Sequence, residues 1–244
     1  MKPVIIIPSR FASERFPGKP LAMISKKPMI QWVYEAAQGV SNCDRVLVAT
    51  DDERIQSTVL NFGGQVVMTS PQAASGSDRI AEAAQILDLG AEQLIINLQG
   101  DQPLIRPQTI QDLISAFEDD PKLPMATLAI RTRDMAVIQQ PKFVKVVLAE
   151  NGDALYFSRA PIPHGRDRAD HDFFKHIGVY AYRRSFLEAF RQLPQGRLEQ
   201  IEKLEQLRVL ESGYRIRVIE TDFESPDVDL PGDIAKVEAI IAET

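Results

Sequence analysis

Three cationic side chains follow the first apolar run of the chain. Arg10, Arg15 and Lys19 come after the β-branched run at residues 4–7, on a segment that a Pro-Gly pair forces to turn. A guanidinium contacts two phosphate oxygens at once, whereas an ammonium acts as a mobile point charge. The pattern predicts a phosphate-binding loop, with a solvated polar loop as the alternative.

This loop differs from the common phosphate-binding motifs. Pro20 follows the Gly-Lys pair where a P-loop has Ser or Thr, and no G-x-G-x-x-G follows the first strand. We therefore expect an anion to be bound mainly by side-chain charge, with backbone N–H groups assisting.

Two carboxylates are candidate metal ligands. Asp101 follows Gly100 and an apolar run, and a carboxylate at the C-terminal end of a strand suits Mg²⁺, whose other ligands are commonly substrate phosphates. Capping of the turn before Pro103 is the alternative for Asp101. Asp229 is a candidate partner ligand and Asp233 a candidate N-cap of the last helix. Sequence spacing alone does not establish that Asp229 meets Asp101.

A segment of small and charged residues at 75–79 precedes a predicted helix. Its hydroxyls and main-chain groups are suited to contact a nucleobase, with Arg79 binding phosphate or base. An ordinary helix start is the alternative, with Ser77 as the cap and Asp78 favouring the helix dipole.

Several chemistries find no support in the residue pattern. The three histidines and the single cysteine do not form a zinc motif, and no nucleophile elbow is present. His164 and His171 are interpreted as loop surface, and Cys43 as a small buried hydrophobe. Metal-assisted phosphoryl chemistry is the candidate that these exclusions leave.

Composition points to a globular protein with a small anionic ligand. The 244 residues fit one large domain or one with an inserted lobe, and no apolar run approaches the length of a bilayer span. The single cysteine and the absence of a signal-type N-terminus predict a cytoplasmic protein with no membrane partner. A net charge of −6 argues against nucleic-acid binding, so the local cations suggest a phosphate-bearing small molecule.

The first half of the sequence alternates strand and helix signals. Apolar runs at 4–7, 45–49, 65–68 and 94–98 are separated by helical patterns, which predicts right-handed crossovers and a mostly parallel sheet. In such sheets ligands bind beyond the C-terminal ends of the strands. The loops that begin at Pro8, Ser70 and Gln99 are therefore expected to share one edge.

The second half is richer in strand signals. Runs at 126–130, 143–148, 154–157 and 177–182, with an Asn-Gly turn at 151–152, predict a smaller lobe within one domain spanning residues 1–244. The segment 159–172 is predicted to be a loop, and residues 198–211 a helix with one leucine-rich face.

Seven segments, in order along nearly the whole chain, resemble those of the CMP-Kdo synthetases, the 3-deoxy-manno-octulosonate (Kdo) cytidylyltransferases: IPSRFASERFPGKPL, VATDD, SGSDR, NLQGDQP, ALYFSR, KHIGVY and LEQLR. The resemblance implies a Rossmann-like nucleotide-diphospho-sugar transferase fold with helices on both faces of the sheet. It also implies Mg²⁺ dependence, a homodimer, and the reaction of CTP with an acidic eight-carbon sugar for lipopolysaccharide synthesis. The smaller lobe, at about 126–215, would then serve sugar binding and dimerisation.

Site residues carry over from the family by position. Arg10, Arg15 and Lys19 match the triphosphate loop, with Arg10, Lys19 and Asp101 as the catalytic residues, and Asp101 and Asp229 match the metal ligands. The cytidine-side positions are Ser75, Gly76, Arg79 and Gln99, and the sugar-side positions are Arg159, His176, Tyr180, Glu205 and Gln206. Without the family, Arg159 fits a sugar carboxylate or a structural ion pair equally, and residues 205–206 would be interpreted as solvated surface.

The chain departs from the family pattern at two motifs. The usual Pro-Ala-Arg-Tyr is Pro-Ser-Arg-Phe here, which spares Arg10 and is expected to change the pocket wall. The usual Val-Asp-Thr-Pro-Glu-Asp is Val-Asp-Leu-Pro-Gly-Asp, which spares both aspartates. Residues 180–210 resemble members that use the 8-amino analogue of Kdo. Alternatives are another acid sugar such as a sialic-acid-like nonulosonate, a glycosyltransferase, and a catalytically silent nucleotide-binding regulator.

Overall fold

The computed structural model describes residues 2–13, 15–73, 75–167, 170–223 and 225–243. Two residues of the predicted loop at 159–172, Arg168 and Ala169, lie outside this part of the chain. The chain divides into two compact units, Met1–Gln111 with Ser225–Thr244, and Asp112–Glu224. The predicted lobe at 126–215 lies within the second unit, and its roles in sugar binding and dimerisation stay predictions.

The elements of the first half are β1 (Val4–Ser9), a 3₁₀ turn (Lys19–Leu21), β2 (Met23–Ile24), β3 (Lys27–Pro28), α1 (Met29–Gln38), β4 (Arg45–Thr50), α2 (Glu53–Asn61), β5 (Val66–Met68), α3 (Gly76–Ile86), β6 (Leu94–Asn97) and α4 (Pro107–Asp119). Those of the second half are β7 (Met125–Thr132), α5 (Met135–Ile138), β8 (Lys145–Leu148), β9 (Ala154–Ser158), β10 (Phe173–Arg183), α6 (Arg184–Gln192), α7 (Arg197–Glu202), α8 (Gln206–Glu211), β11 (Ile216–Glu220) and α9 (Asp233–Ala242).

The first unit contains a parallel sheet in the order β6-β1-β4-β5. The side chains of Val4, Ile5, Ile6 and Ile7 are fully buried, because the central strand is covered on both faces. The order places β1 between β4 and β6, so the loops after these strands leave the same edge of the sheet. The predicted parallel arrangement of the first half is confirmed.

The second unit contains β11, β7 and β10, with the β8–β9 hairpin paired to β10. β11 lies parallel to β7, whereas the β7–β10, β10–β8 and β8–β9 pairs are antiparallel. Gly152 has φ +81° at the hairpin turn, a conformation that favours glycine. The predicted α/β class, with a mostly parallel sheet flanked by helices, is confirmed, as is the Asn-Gly hairpin.

The predicted helix at 198–211 is wrong, because it is two helices. α7 ends at Glu202, and Lys203 has the left-handed φ of 55° before α8 begins at Gln206. Ile201, on the expected leucine face, is 66% exposed, whereas Leu207 is fully buried. The leucine spacing continues across the break, so periodicity alone conceals it.

Among the described residues, no helix is long and apolar enough to cross a membrane. Cys43 is partly exposed and not fully buried as expected, with its Sγ 3.3 Å from the carbonyl oxygens of Pro3 and Arg45. Burial raises the pKa of its thiol, which disfavours the thiolate.

Candidate active site

A cavity of about 310 Å³ opens in the first unit at the C-terminal ends of β1 and β6. Three loops contribute to it, so the predicted convergence of the segments that follow Pro8, Ser70 and Gln99 is confirmed. The lining residues are Pro8, Ser9, Arg10, Ser13, Arg15, Lys19, Pro20, Ala73, Ser75, Gly76, Arg79, Gln99, Gly100, Asp101 and Asp229.

Lys19 lies between the two candidate metal carboxylates. Its Nζ donates to Asp101 Oδ2 at 2.7 Å and lies 3.5 Å from Asp229 Oδ1. Arg15 forms a two-pronged pair with the Asp229 carboxylate at 2.9 and 3.2 Å. The structure therefore brings together two carboxylates that are 128 positions apart in the numbering of the chain, 101 and 229.

The cationic loop is shaped by Gly18 and Phe11. Gly18 has φ +72°, and its N–H donates to the Phe11 carbonyl at 2.9 Å. The Arg54 guanidinium lies 3.3 Å from the centre of the Phe11 ring and also pairs with Asp52. Phe11 thus packs against the loop and α2, and it is not among the described residues that line the cavity. The expected change of the cavity wall at the Pro-Ser-Arg-Phe motif therefore rests on Ser9, which lines the cavity, and not on Phe11.

Backbone contacts fix the segment that carries Asp229. The Val228 N–H donates to the Asp101 carbonyl at 3.0 Å, which joins the two acidic segments directly. The Asp233 carboxylate accepts the N–H groups of Asp229 and Leu230 at 3.2 and 2.9 Å.

Asp233 is not the N-cap of α9 as expected. It is the first helical residue, and Gly232 occupies the cap position. Burial acts most strongly and alone would raise the pKa of Asp233, but the hydrogen bonds it accepts and its contact with Lys236 lower the pKa overall. The charged form of Asp233 therefore supports the turn on which Asp229 lies.

The segment at 75–79 is a capped helix start that also lines the cavity. Ser75, and not Ser77 as expected, is the N-cap of α3, with its Oγ accepting the Asp78 N–H at 3.1 Å. Arg79 is 4% exposed, and its guanidinium contacts Thr69 Oγ1 at 2.5 Å and Asp51 Oδ2 at 3.2 Å. Arg79 is thereby fixed in the wall, with its charge balanced within the protein.

Gln99 occupies the start of the loop that follows β6. Its Nε2 donates to Asn97 Oδ1 at 2.9 Å, and Asn97 is buried at the end of the strand. This bond orients the Gln99 amide at the edge of the cavity, beside the predicted nucleotide-binding residues.

The two carboxylates fit the chemistry of a hard divalent cation. Asp101 and Asp229 already converge on one cationic group, the Lys19 ammonium, and carboxylate oxygens are ligands that Mg²⁺ prefers. Across the described residues, no group of three or more His, Cys, Asp or Glu forms a protein-only metal site. A cation held here would therefore take its further ligands from water or from a substrate.

The predicted sugar-side residues lie in the second unit. The Arg159 guanidinium donates to the carbonyls of Glu202 at 2.8 Å, Pro141 at 3.0 Å and Lys203 at 3.4 Å. The ion-pair interpretation of its guanidinium is wrong, because these partners are all backbone carbonyls. Arg159 instead ties the end of β9 to the end of α7.

His176 and Tyr180 form an aromatic group in the same unit. Their ring centres are 5.5 Å apart, and His176 Nε2 lies 2.9 Å from Thr127 Oγ1. Burial lowers the pKa of His176 to about 3, so the imidazole is neutral at physiological pH. Burial, with the Glu205 carboxylate nearby, raises the pKa of the Tyr180 phenol well above its ordinary value. Gln206 is buried at the start of α8, so the interpretation of 206 as solvated surface is wrong.

A buried polar group around Arg159 was not predicted. Lys145 is fully buried, and its ammonium donates to the carbonyls of Phe143 at 2.8 Å, Gln140 at 3.3 Å and Arg159. Glu202 accepts from Ser158 Oγ at 2.6 Å and from the Arg159 N–H at 2.9 Å. Lys145 interrupts the apolar pattern of its strand, and this interruption was the only signal available in the sequence. Ser13, which lines the cavity, was likewise missed.

Comparison with known proteins identifies close relatives. A family model described as cytidylyltransferase matches residues 4–216. A protein of Hydrogenovibrio crunogenus named 3-deoxy-manno-octulosonate cytidylyltransferase 2 is 53% identical over 99% of this chain and 98% of its own. A protein of Shewanella woodyi named 8-amino-3,8-dideoxy-manno-octulosonate cytidylyltransferase is 54% identical over 99% of each chain.

Solved structures show the same relationship. A structure of CMP:2-keto-3-deoxy-manno-octonic acid synthetase complexed with CTP is 46% identical, with a TM-score of 0.94 over 100% of this chain and 99% of its own. A cytidylyltransferase from Leptospira borgpetersenii, 16% identical with a TM-score of 0.67 over 100% and 88% of the two chains, shares the fold.

Proposed function

The chain belongs to the cytidylyltransferase family, and from this membership we propose that it transfers the cytidylyl group of CTP to Kdo or to 8-amino-3,8-dideoxy-Kdo. The products are the CMP-sugar and pyrophosphate, and the CMP-sugar serves lipopolysaccharide synthesis. The observation that carries the proposal is that Arg10, Arg15 and Lys19 line the same cavity as Asp101 and Asp229. It combines cations for a triphosphate with carboxylates for a divalent cation.

The cationic loop would bind the triphosphate of CTP. Arg10 is exposed at the cavity, whereas Arg15 and Lys19 are paired with carboxylates in the structure. Phosphate oxygens would compete for both side chains, and a guanidinium can contact two of these oxygens at once. Arg10 and Lys19 would also stabilise the charge that develops on the leaving pyrophosphate, an effect of about 3–4 kcal/mol for a well-placed donor.

The reaction is an in-line displacement at phosphorus. The anomeric hydroxyl oxygen of the sugar forms a bond to the α-phosphorus of CTP, while the bond from that phosphorus to the bridging oxygen of pyrophosphate breaks. The hydroxyl proton passes to solvent. The protein contributes orientation of the two substrates and charges at fixed positions, which is the main source of catalysis in phosphoryl transfer.

Asp101 and Asp229 would hold Mg²⁺. The metal, when bound, would neutralise phosphate charge and lower the pKa of the attacking hydroxyl. Two hydrogen bonds support metal binding by these carboxylates. The bond from the Val228 N–H to the Asp101 carbonyl joins the two segments, and the bond from the Asp229 N–H to the Asp233 carboxylate shapes the turn at Asp229.

Ser75, Gly76, Arg79 and Gln99 would contact the cytidine, and residues of the second unit would bind the sugar. Arg159, His176, Tyr180, Glu205 and Gln206 are the sugar-side candidates. His176 is neutral and Tyr180 is protonated, so both would act through hydrogen bonds and packing rather than through charge.

Two further properties belong to the proposal. A homodimer follows from the family resemblance, and light scattering at twice the chain mass of 27.3 kDa would support it. A cytoplasmic location is proposed for the same reason and agrees with a free Cys43.

The test is a CTP-dependent pyrophosphate assay with purified protein and Mg²⁺, using Kdo, its 8-amino analogue and a sialic-acid-like sugar separately. The proposal predicts release with one of the first two sugars. Pyrophosphate release with the sialic-acid-like sugar alone would show that the substrate is another acid sugar. CTP binding by calorimetry without release in any reaction would instead indicate a nucleotide-binding regulator.

A further inference from the structure

Ser9 is a buried hydroxyl at the wall of the cavity. It is the last residue of β1, is 4% exposed and lines the cavity. Within the part of the chain that the structure describes, its Oγ has no hydrogen-bond partner. A buried hydroxyl without a partner costs about 1–3 kcal/mol, so such groups in proteins are usually satisfied by protein, water or ligand.

The position of Ser9 follows from strand register. Alternate residues of a strand share a face, so Ser9 continues the buried face of Ile5 and Ile7 up to the cavity. Thr50 lies beside Ser9 on β4, and its Oγ1 is already used because it accepts the Asp52 N–H at 3.2 Å. The Thr50 hydroxyl on β4 thus has a hydrogen-bond partner, whereas the Ser9 hydroxyl has none among the described residues.

Gly100 keeps the other side of Ser9 free of a side chain. A Cβ at position 100 would lie 3.1 Å from Ser9 Oγ, 3.5 Å from Ile7 Cγ2 and 3.5 Å from the Pro8 carbonyl oxygen. Ser9 Oγ therefore lies close to the main chain of Gly100, which also lines the cavity. Ser9 Oγ is itself buried, so a ligand in the cavity reaches it only when the Ser9 side chain or the main chain at Gly100 moves.

The surroundings of Ser9 favour the nucleoside of CTP, rather than its phosphates, as the partner of the hydroxyl. Pro8 lies beside Gly76, where an added Cβ would contact the proline ring at 3.6 Å, and Gly76 begins the helix capped by Ser75. The cations Arg15 and Lys19 instead contact the carboxylates of Asp101 and Asp229. Pro8, which precedes Ser9, thus adjoins the helix start at Gly76, and Gly100, beside Ser9 Oγ, follows Gln99, so both neighbours lie next to predicted cytidine-side residues.

We infer that the Ser9 hydroxyl is a substrate-binding group of this protein, which forms a hydrogen bond with the nucleoside part of CTP. The inference rests on the proposed function and extends it to a residue that the nucleotide-site assignment does not include. A ribose hydroxyl or a pyrimidine oxygen offers the required partner, because a serine hydroxyl both donates and accepts.

The experiment compares Ser9→Ala with the wild-type protein and with Ser57→Ala, an exposed serine of α2 that does not line the cavity. Calorimetry measures binding of CTP, CMP and cytidine, and thermal unfolding is measured without ligand. We expect Ser9→Ala to weaken binding of all three by the same factor, about 2- to 10-fold, which is typical of one neutral hydrogen bond. The unfolding temperature of the free protein stays unchanged or rises, because no protein bond is lost.

Unchanged binding by Ser9→Ala, or a loss confined to CTP, would overturn the inference. A lower unfolding temperature of the free Ser9→Ala protein would also overturn it, since the hydroxyl would then have a partner within the protein. Failure of the wild-type protein to bind CTP would overturn the proposed function and this inference together. Wild-type binding with an unaffected Ser9→Ala variant removes the inference alone.

Discussion

At the scale of single residues, the site consists of opposite charges that a substrate can rearrange. Lys19 is held by Asp101 at 2.7 Å, and Arg15 by Asp229 at 2.9 Å. These pairs are partly exposed, so each contributes little to stability compared with a buried pair. These ion pairs instead position the side chains, because they hold cations and carboxylates within one cavity.

Asp101→Asn should abolish turnover and leave the fold intact. The change keeps the shape of the side chain and removes the charge that a divalent cation and Lys19 both need. The measurements are pyrophosphate release and thermal unfolding. Asp227→Asn is the matched control, since this nearby carboxylate accepts from Gln102 and does not line the cavity. Near-wild-type release by Asp101→Asn would refute the metal assignment.

His176 should remain neutral down to acidic pH. Its pKa is about 3 because of burial, against about 6.5 for an exposed histidine. The unfolded chain therefore binds a proton below about pH 6.5 that the folded protein does not, so the stability contributed by neutral His176 is lost as the pH falls. The free energy of unfolding should then decrease by up to about 1.4 kcal/mol for each pH unit.

NMR of the imidazole measures this directly. The His176 ring signals should show no titration between pH 8 and 5. A midpoint for His176 above pH 5 would show that the ring is accessible to solvent, and the argument from burial would fail.

At the scale of elements, the loop after β1 depends on its glycine. Gly18→Ala places a Cβ 3.0 Å from the Phe11 ring and forces a side chain into φ +72°. Gly63→Ala is the matched control, because Gly63 has φ +81° with nothing within 4 Å of an added Cβ. Both variants should lose about 1–2 kcal/mol of stability from backbone strain.

Only Gly18→Ala should also bind CTP more weakly, because the displaced Phe11 moves the loop that carries Arg10, Arg15 and Lys19. Chemical denaturation gives the stability, and calorimetry gives the affinity for CTP. Equal affinities for the two variants would show that the packing of Phe11 on Gly18 does not position the loop.

Most of the elements that build the cavity could be predicted from the sequence. The apolar runs of β1, β4 and β6 and the helices between them fix a parallel sheet, and this places three loops at one edge. The break at Lys203 could not be predicted, because the leucine spacing continues through it. Similarly, Ser75 and Ser77 are both good caps, and only the hydrogen bond that Ser75 Oγ accepts from the Asp78 N–H distinguishes them.

The meeting of Asp101 and Asp229 also needed the structure. Both carboxylates approach Lys19, and their segments are joined by the hydrogen bond from the Val228 N–H to the Asp101 carbonyl, a long-range pairing without a local signal. The contacts of Arg159 with carbonyl oxygens had no signal either, since main-chain acceptors are present at every position of the sequence.

At the scale of the whole molecule, an acidic protein binds an acidic substrate through a local field. The net charge is −6, yet four cationic side chains line one cavity, the three of the loop after β1 and Arg79. Local charge outweighs net charge at short range, because salt screens distant charges over about 10 Å at 0.1 M ionic strength.

Binding of CTP should therefore weaken as salt is raised from about 0.05 to 0.5 M, while binding of uncharged cytidine should change little. Calorimetry at several salt concentrations gives both affinities. The same salt dependence for the two ligands would contradict a binding site in which the three cations contact the triphosphate.

The central claim is tested most directly by identifying the product of one reaction. Purified protein is incubated with CTP, Mg²⁺ and either Kdo or its 8-amino analogue, and the products are analysed by mass spectrometry. The account predicts pyrophosphate together with the CMP derivative of one of these sugars. Intact CTP with both sugars, or a product that lacks the CMP–sugar bond, would contradict it.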